Sequence, residues 1–301
     1  MTQIPGLHHV TAISGPPQKN VDFYTGPMGQ RLVKKTVNFD DPGTYHLYYG
    51  DHGGTPGSIL TFFPFEGAGQ GRPGPGMASA YAYRIAPAAF EAWAERAGAE
   101  RVADRFGAKA AVLRDPDGAA VEVIADDGAE GEAPDAFHSV TLWLSDLGPT
   151  QRLLTEVMGY EEAGYESEDG AERLRLVAPG SARGSVVDLF RSDAGRRGVP
   201  GRGTIHHVAF RARTGDEQRG WQEALASAGH PTTPVIDRQY FDAIYFREPG
   251  GVLFEIATDP PGFTADEPLE SLGEALKLPP RYERARDRIE AVLPPIAARA
   301  A

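Results

Sequence analysis

Residues 7–13 read LHHVTAI and residues 205–210 read IHHVAF. Both are short runs rich in apolar and β-branched residues, so both predict strands. Each carries two adjacent histidines at the same point. Residues 80–85 (AYAYRI) and 137–144 (FHSVTLWL) open in a similar way. Helical stretches follow most of these openings, over residues 90–99, 150–158 and 217–228, with Trp93 and Trp221 at apolar positions. Each segment closes on a short apolar strand entered through glycine: residues 57–62 (GSILTF), 118–123 (GAAVEV), 184–189 (GSVVDL) and 251–256 (GVLFEI). Thr61, Glu122, Asp188 and Glu255 stand at one position of these closing strands. A unit repeated in this order is the mark of an internally duplicated fold. The reading is an α+β protein of four βαβββ modules. Modules one and two fill residues 1–130, modules three and four fill residues 131–262, and a C-terminal helical tail fills residues 263–301.

Composition agrees. The 36 glycines and 25 prolines among 301 residues suit many short strands and exclude a helix bundle. The net charge of −12 repels phosphate backbones, so neither nucleic acid nor an anionic membrane surface is an expected partner. Cysteine is absent, which removes disulfides, thiolate metal sites and cysteine nucleophiles and fits a cytoplasmic location. Residues 1–6 have no basic segment leading into an apolar run, so no signal peptide is expected. The glycine-rich stretch 67–76 lacks the Lys-Ser/Thr ending of a phosphate loop, and no Gly-x-Ser-x-Gly elbow occurs. Lys34 and Lys35 are expected in solvent, one of them near a pocket rim.

Adjacent residues of a strand face opposite sides, so one histidine of each pair can enter a given cavity. His8 shares phase with Val10 and Ala12, and His206 with Val208 and Phe210. That apolar face is expected against the helices, with His206 packed there and His8 left open. His9 and His207 then line the concave face. Glu255, flanked by Phe254 and Ile256, can point into the same space. Two imidazoles and one carboxylate form the 2-His-1-carboxylate set of non-haem Fe(II) oxygenases, which leaves coordination sites open. The corresponding residues of the middle modules are read as Ala82, Ser139, Glu122 and Asp188. Without imidazoles in phase they make no second complete site, and His138 is read as structural.

With these motifs in hand, the chain resembles the vicinal oxygen chelate superfamily of glyoxalases and extradiol dioxygenases. It resembles most narrowly the bacterial ring-cleaving dioxygenases of the hydroquinone 1,2-dioxygenase type. The stretches that carry the likeness include GLHHVTAI (6–13), YHLYYG (45–50), GTIHHVAF (203–210) and DRQYFDAIYFREPGGVLFEIA (237–257). The resemblance implies Fe(II), with Mn(II) as the alternative, held by His9, His207 and Glu255, with modules one and four paired around it. It implies an aromatic diol and O2 as partners; a homo-oligomer is expected from the apolar helix and tail surfaces. It places Tyr245 beside the metal as a catalytic hydrogen-bonding group and Arg238 at the pocket mouth, where it would attract a deprotonated diol. His8 is the third catalytic candidate, as a proton relay or an orienting group. Two other readings stay open. One is a glyoxalase-like isomerase or transferase using Zn, Ni or Mn, for which Thr61 sits where a fourth ligand would be needed. The other is a metal-free small-molecule-binding protein.

Overall fold

The computed structural model describes residues 3–297; residues 1–2 and 298–301, the extremes of the first half and of the tail, lie outside the described residues. Module one comprises β1 (Leu7–Ser14), α1 (Pro17–Thr25), β2 (Arg31–Val37), β3 (Tyr45–Gly50) and β4 (Ile59–Pro64). Module two comprises β5 (Met77–Ile85), α2 (Pro87–Ala97), β6 (Glu100–Arg105), β7 (Ala108–Arg114) and β8 (Ala120–Ala125). Module three comprises β9 (Phe137–Trp143), α3 (Gly148–Arg152), β10 (Glu161–Glu168), β11 (Ala171–Val177) and β12 (Val186–Ser192). A π-helical turn, Leu153–Val157, continues α3. Module four comprises β13 (Thr204–Ala212), α4 (Gly215–Ser227), β14 (Ile236–Asp237), β15 (Phe241–Arg247) and β16 (Leu253–Pro261). The tail carries short 3-10 turns and α5 (Arg286–Glu290).

The modules pair crosswise. One eight-stranded sheet runs β14-β15-β16-β13-β1-β4-β3-β2, joining modules four and one; the other runs β10-β11-β12-β9-β5-β8-β7-β6, joining three and two. In each sheet the two opening strands lie antiparallel at the centre, and each is parallel to its own closing strand. The helices cover the apolar faces. Gln218, Trp221 and Leu225 of α4, and Phe90, Trp93 and Ala94 of α2, are buried at helical spacing. The hydroxyl of Thr214 caps α4 by accepting from the Glu217 amide.

The sheets are joined where strands enter. The Leu7 amide donates to the Gly184 carbonyl, and the Gly184 amide to that of Phe137. Gly184 has φ of 54°, and a Cβ there would lie 2.9 Å from that of Leu7, so only glycine fits this crossing.

The tail wraps back over β2, and here the structure corrects an expectation. Lys34 is not in solvent: it is fully buried, pairs with Asp266 at 2.6 Å and with Glu267, and lies 4.8 Å from the Tyr240 ring centre. Its partners are more than 200 residues away, so nothing local in the sequence signals the burial. Lys35 is half-buried and donates to the Glu274 carbonyl. Among the described residues, no helix is long and apolar enough to cross a membrane.

Candidate metal centre

The cross-strand register builds the site. On one side of the sheet centre, His9 lies beside Ala209, Ala209 beside Glu255, and Glu255 beside Tyr245. On the other, His207 lies beside Thr11, Thr11 beside Thr61, and Thr61 beside Tyr48. The two rows are related by the pseudo-twofold symmetry of the duplicated modules. One small residue, Ala209, stands between imidazole and acid in the first row, which leaves room for the side chains to meet.

They do meet. His9, His207 and Glu255 each offer a ligand atom, and the three atoms lie within 4.8 Å of one another. The Nε2 atoms of His9 and His207 are 3.3 Å apart, and they stand 3.4 and 2.8 Å from Glu255 Oε2. Glu255 is fully buried, and neither of its oxygens has a hydrogen-bond partner. A buried carboxylate faced only by imidazoles is costly, and one cation at the shared point would answer it. Burial opposes ionisation of Glu255, yet the His9 and His207 imidazoles hold its carboxyl well below the usual carboxylate range. Burial pushes the His207 imidazole down, towards the neutral form a metal ligand requires.

Strand alternation picks His9 and His207 correctly for the cavity but misplaces their neighbours. The register of β1 against β13 slips between Leu7 and His9, and again between Thr11 and Ala12. His8 and His206 are therefore the bulged residues, and a bulge re-aims its side chain. His8 Nδ1 lies 3.0 Å from His9 Nδ1, and His206 Nδ1 lies 2.8 Å from His207 Nδ1. His206 is exposed and lines the cavity, contrary to the expectation that it packs under a helix. His8 is buried behind His9, against the Phe241 ring, and is not part of the cavity wall.

The cavity above the triad measures about 300 Å³. A site of roughly 150 Å³ holds a benzene ring, so there is room for one substituted ring and a small second molecule. Phe63, Phe65, Phe241 and Leu253 form apolar wall. Tyr245, directly across from Glu255, accepts from Arg238 Nε at 3.2 Å. Arg238 also pairs with Asp40 at 3.2 Å, so the mouth is bridged between modules four and one. Burial, with Glu255 adding to it, raises the Tyr245 phenol above its ordinary range, while Arg238 opposes the shift. His46 and Tyr48 complete the opposite wall and were not singled out from sequence. The available signal was the alternation within residues 45–50, which puts both on the concave face.

The other sheet has the same two rows with different residues. Ala80, Thr141, Asp188 and Arg175 form one; Ser139, Ala82, Glu122 and Val112 form the other. The counterpart of His9 is thus Ala80, not Ala82, because the same bulges shift the count. Asp188 accepts two bonds from Arg175, at 2.8 and 2.9 Å, and Glu122 pairs with Arg105 at 3.2 Å. His138 occupies the bulge position, and burial lowers its imidazole to about 4.

The pattern of the Glyoxalase/Bleomycin resistance protein/Dioxygenase superfamily matches residues 6–123 and 136–256. The chain is 45% identical to the "Putative ring-cleaving dioxygenase MhqO" of Bacillus subtilis (strain 168), over 98% of this chain and 97% of that protein. It is 33% identical to the chlorohydroquinone/hydroquinone 1,2-dioxygenase of Sphingobium indicum, over 96% and 97%. A crystal structure of a similarly named Bacillus subtilis protein superposes with a TM-score of 0.92 at 43% identity, covering 100% of both chains. Glyoxalase I from Zea mays shares the fold, with a TM-score of 0.63 at 16% identity over 84% and 92% of the chains.

Proposed function

Because the chain belongs to the glyoxalase/bleomycin resistance protein/dioxygenase superfamily, we propose that it is an Fe(II)-dependent ring-cleaving dioxygenase. Its substrates are O2 and a hydroquinone- or catechol-type diol. The observation that carries this reading is the fully buried Glu255 facing two imidazole Nε2 atoms, with the three ligand atoms within 4.8 Å of one another. The donor set of two nitrogens and one oxygen suits iron, with manganese as the near alternative. Bound there, the metal supplies Lewis acidity and oxygen activation.

The remaining work falls to the chain. The phenylalanine walls hold the ring and exclude water, which strengthens every polar contact inside. Arg238, with its guanidinium at the mouth, attracts a phenolate and orients the Tyr245 hydroxyl. Tyr245 moves or holds a proton at its Oη beside Glu255. With their Nε2 atoms given to the metal, His9 and His207 carry their protons on Nδ1 and donate to Nδ1 of His8 and His206. This fixes both ring orientations, a common duty of groups behind metal ligands. His8 is thus a positioning residue.

Anaerobically iron-loaded protein is expected to consume O2 and a dihydroxybenzene in equal amounts at an oxygen electrode. A protein that retains iron, binds the diol and takes up no oxygen would discard the reading. Thr61, where a four-ligand isomerase site would need another carboxylate, argues for the open coordination of an oxygenase.

A further inference from the structure

The second register row ends in a hydrogen-bonded chain to which the reading above gives no role. Tyr48 Oη lies 2.8 Å from His46 Nδ1, His46 Nε2 lies 2.9 Å from Thr61 Oγ1, and that oxygen lies 2.8 Å from Thr11 Oγ1. Thr11 is two residues from His9 and directly across from His207, so this end of the chain is beside the triad. Thr11, His46 and Tyr48 all face the cavity. Symmetry makes Tyr48 the mate of Tyr245 and Thr61 the mate of Glu255. Where a second acid would stand, the protein has a hydroxyl and an imidazole.

A neutral imidazole has one donor and one acceptor nitrogen, and a hydroxyl has one donor. The chain therefore has two self-consistent states. With the proton on Nδ1, His46 donates to Tyr48 and accepts from Thr61, Thr61 accepts from Thr11, and the Tyr48 O–H turns to the cavity. With the proton on Nε2, every bond reverses and the Thr11 O–H turns to the cavity. The states differ only in which end offers a proton, and no member is charged in either. Burial and the neighbouring His9 and His207 hold the His46 imidazole well below its ordinary range, which keeps it neutral.

We propose that Thr11, Thr61, His46 and Tyr48 form the proton exit for the substrate hydroxyl that enters the triad, with His46 as the member that switches tautomer. This rests on the diol reading above. The substrate O–H bond breaks and its proton goes to Thr11 Oγ1. The Thr11 proton passes to Thr61, the Thr61 proton to His46 Nε2, the His46 Nδ1 proton to Tyr48 Oη, and the Tyr48 proton to the cavity that its hydroxyl faces. The substrate gains one negative charge, one proton leaves, and nothing is oxidised. The final state has Thr11 donating to the new phenolate oxygen. Thr11 is the catalytic residue; the other three act through it.

The test uses Zn(II)-loaded protein without oxygen, because zinc fits nitrogen and oxygen ligands and has no redox chemistry. The protein is mixed with hydroquinone in weak buffer containing a pH indicator, and the rate of proton release is followed by stopped flow. Wild type is expected to release one proton per bound diol. Tyr48→Phe and His46→Gln are expected to slow release by about 100-fold, the lower range for a positioned acid–base group, with affinity and final amplitude unchanged. Glutamine keeps a donor and an acceptor but cannot pass a proton between them, so a purely structural His46 would be rescued by it. Release at the wild-type rate in both variants overturns the relay alone. A wild-type protein that retains zinc and binds no diol overturns the diol reading and the relay with it.

Discussion

In the sheet of modules one and four, the register rows hold His9, Ala209, Glu255, Tyr245 and His207, Thr11, Thr61, Tyr48. In the sheet of modules two and three, the same places hold Ala80, Thr141, Asp188, Arg175 and Ser139, Ala82, Glu122, Val112. Both sheets bury carboxylates on the concave face. In the second sheet each one is met by arginine, and Arg175 is covered in turn by the Phe106 ring, 4.1 Å from the guanidinium carbon. In the first sheet Glu255 has two imidazoles and no guanidinium, and the space above it stays open. A buried carboxylate needs a counter-charge. One half has built it into the chain as arginine; the other has a donor set that suits a divalent metal, beneath a cavity.

Three sets of experiments would break or sharpen that contrast. The largest effect is expected from the equivalent acids. Glu255→Ala should abolish both metal retention, read by elemental analysis, and oxygen uptake, while the fold persists. Asp188→Ala should do the reverse. It strands a buried arginine at a cost of about 3–5 kcal/mol in urea unfolding, and uptake per folded molecule should stay unchanged. Loss of iron from the Asp188 variant would mean that the second half is not merely structural.

Thr61→Glu should be next in size. It restores the symmetric acid within reach of the triad, closes an open coordination side, and displaces His46. Tighter metal retention in a chelator competition, with oxygen uptake reduced by about 100-fold or more, is the expected outcome. Full uptake would show that the open side lies elsewhere.

The smallest effect concerns acid. Burial depresses the His8, His46 and His207 imidazoles in the metal half, and His138 in the other. A base held below its unfolded value of about 6.5 stabilises the fold above that pH and loses the contribution as pH falls towards the depressed value. The metal-free protein should therefore lose stability below about pH 6.5, by up to ~1.4 kcal/mol per pH unit for each proton taken up. Thermal midpoints across pH 4–8 measure this. His46→Phe and His138→Phe should each flatten the slope; a slope unchanged in both would mean that other groups set it.

Much of the site was legible because its residues carry local signals. The duplicated His-His pairs, the glycine-led closing strands and the acid at one position of each strand are patterns of composition and period. Strand phase then selected His9, His207 and Glu255. The relay wall was harder to see: His46 and Tyr48 lie on a strand with no acid or second imidazole to draw notice. The place of His206 was misread because strict alternation assumes an unbroken ladder, and a bulge breaks it.

The sequence by itself determined the modules, their order and the three side chains that face one point, since each depends on residues close together along the chain. Only the tertiary structure decided that Lys34 is buried under the tail and that Tyr48 mirrors Tyr245. These depend on register between strands up to about two hundred residues apart, and register is set by packing and bulges that no local pattern encodes.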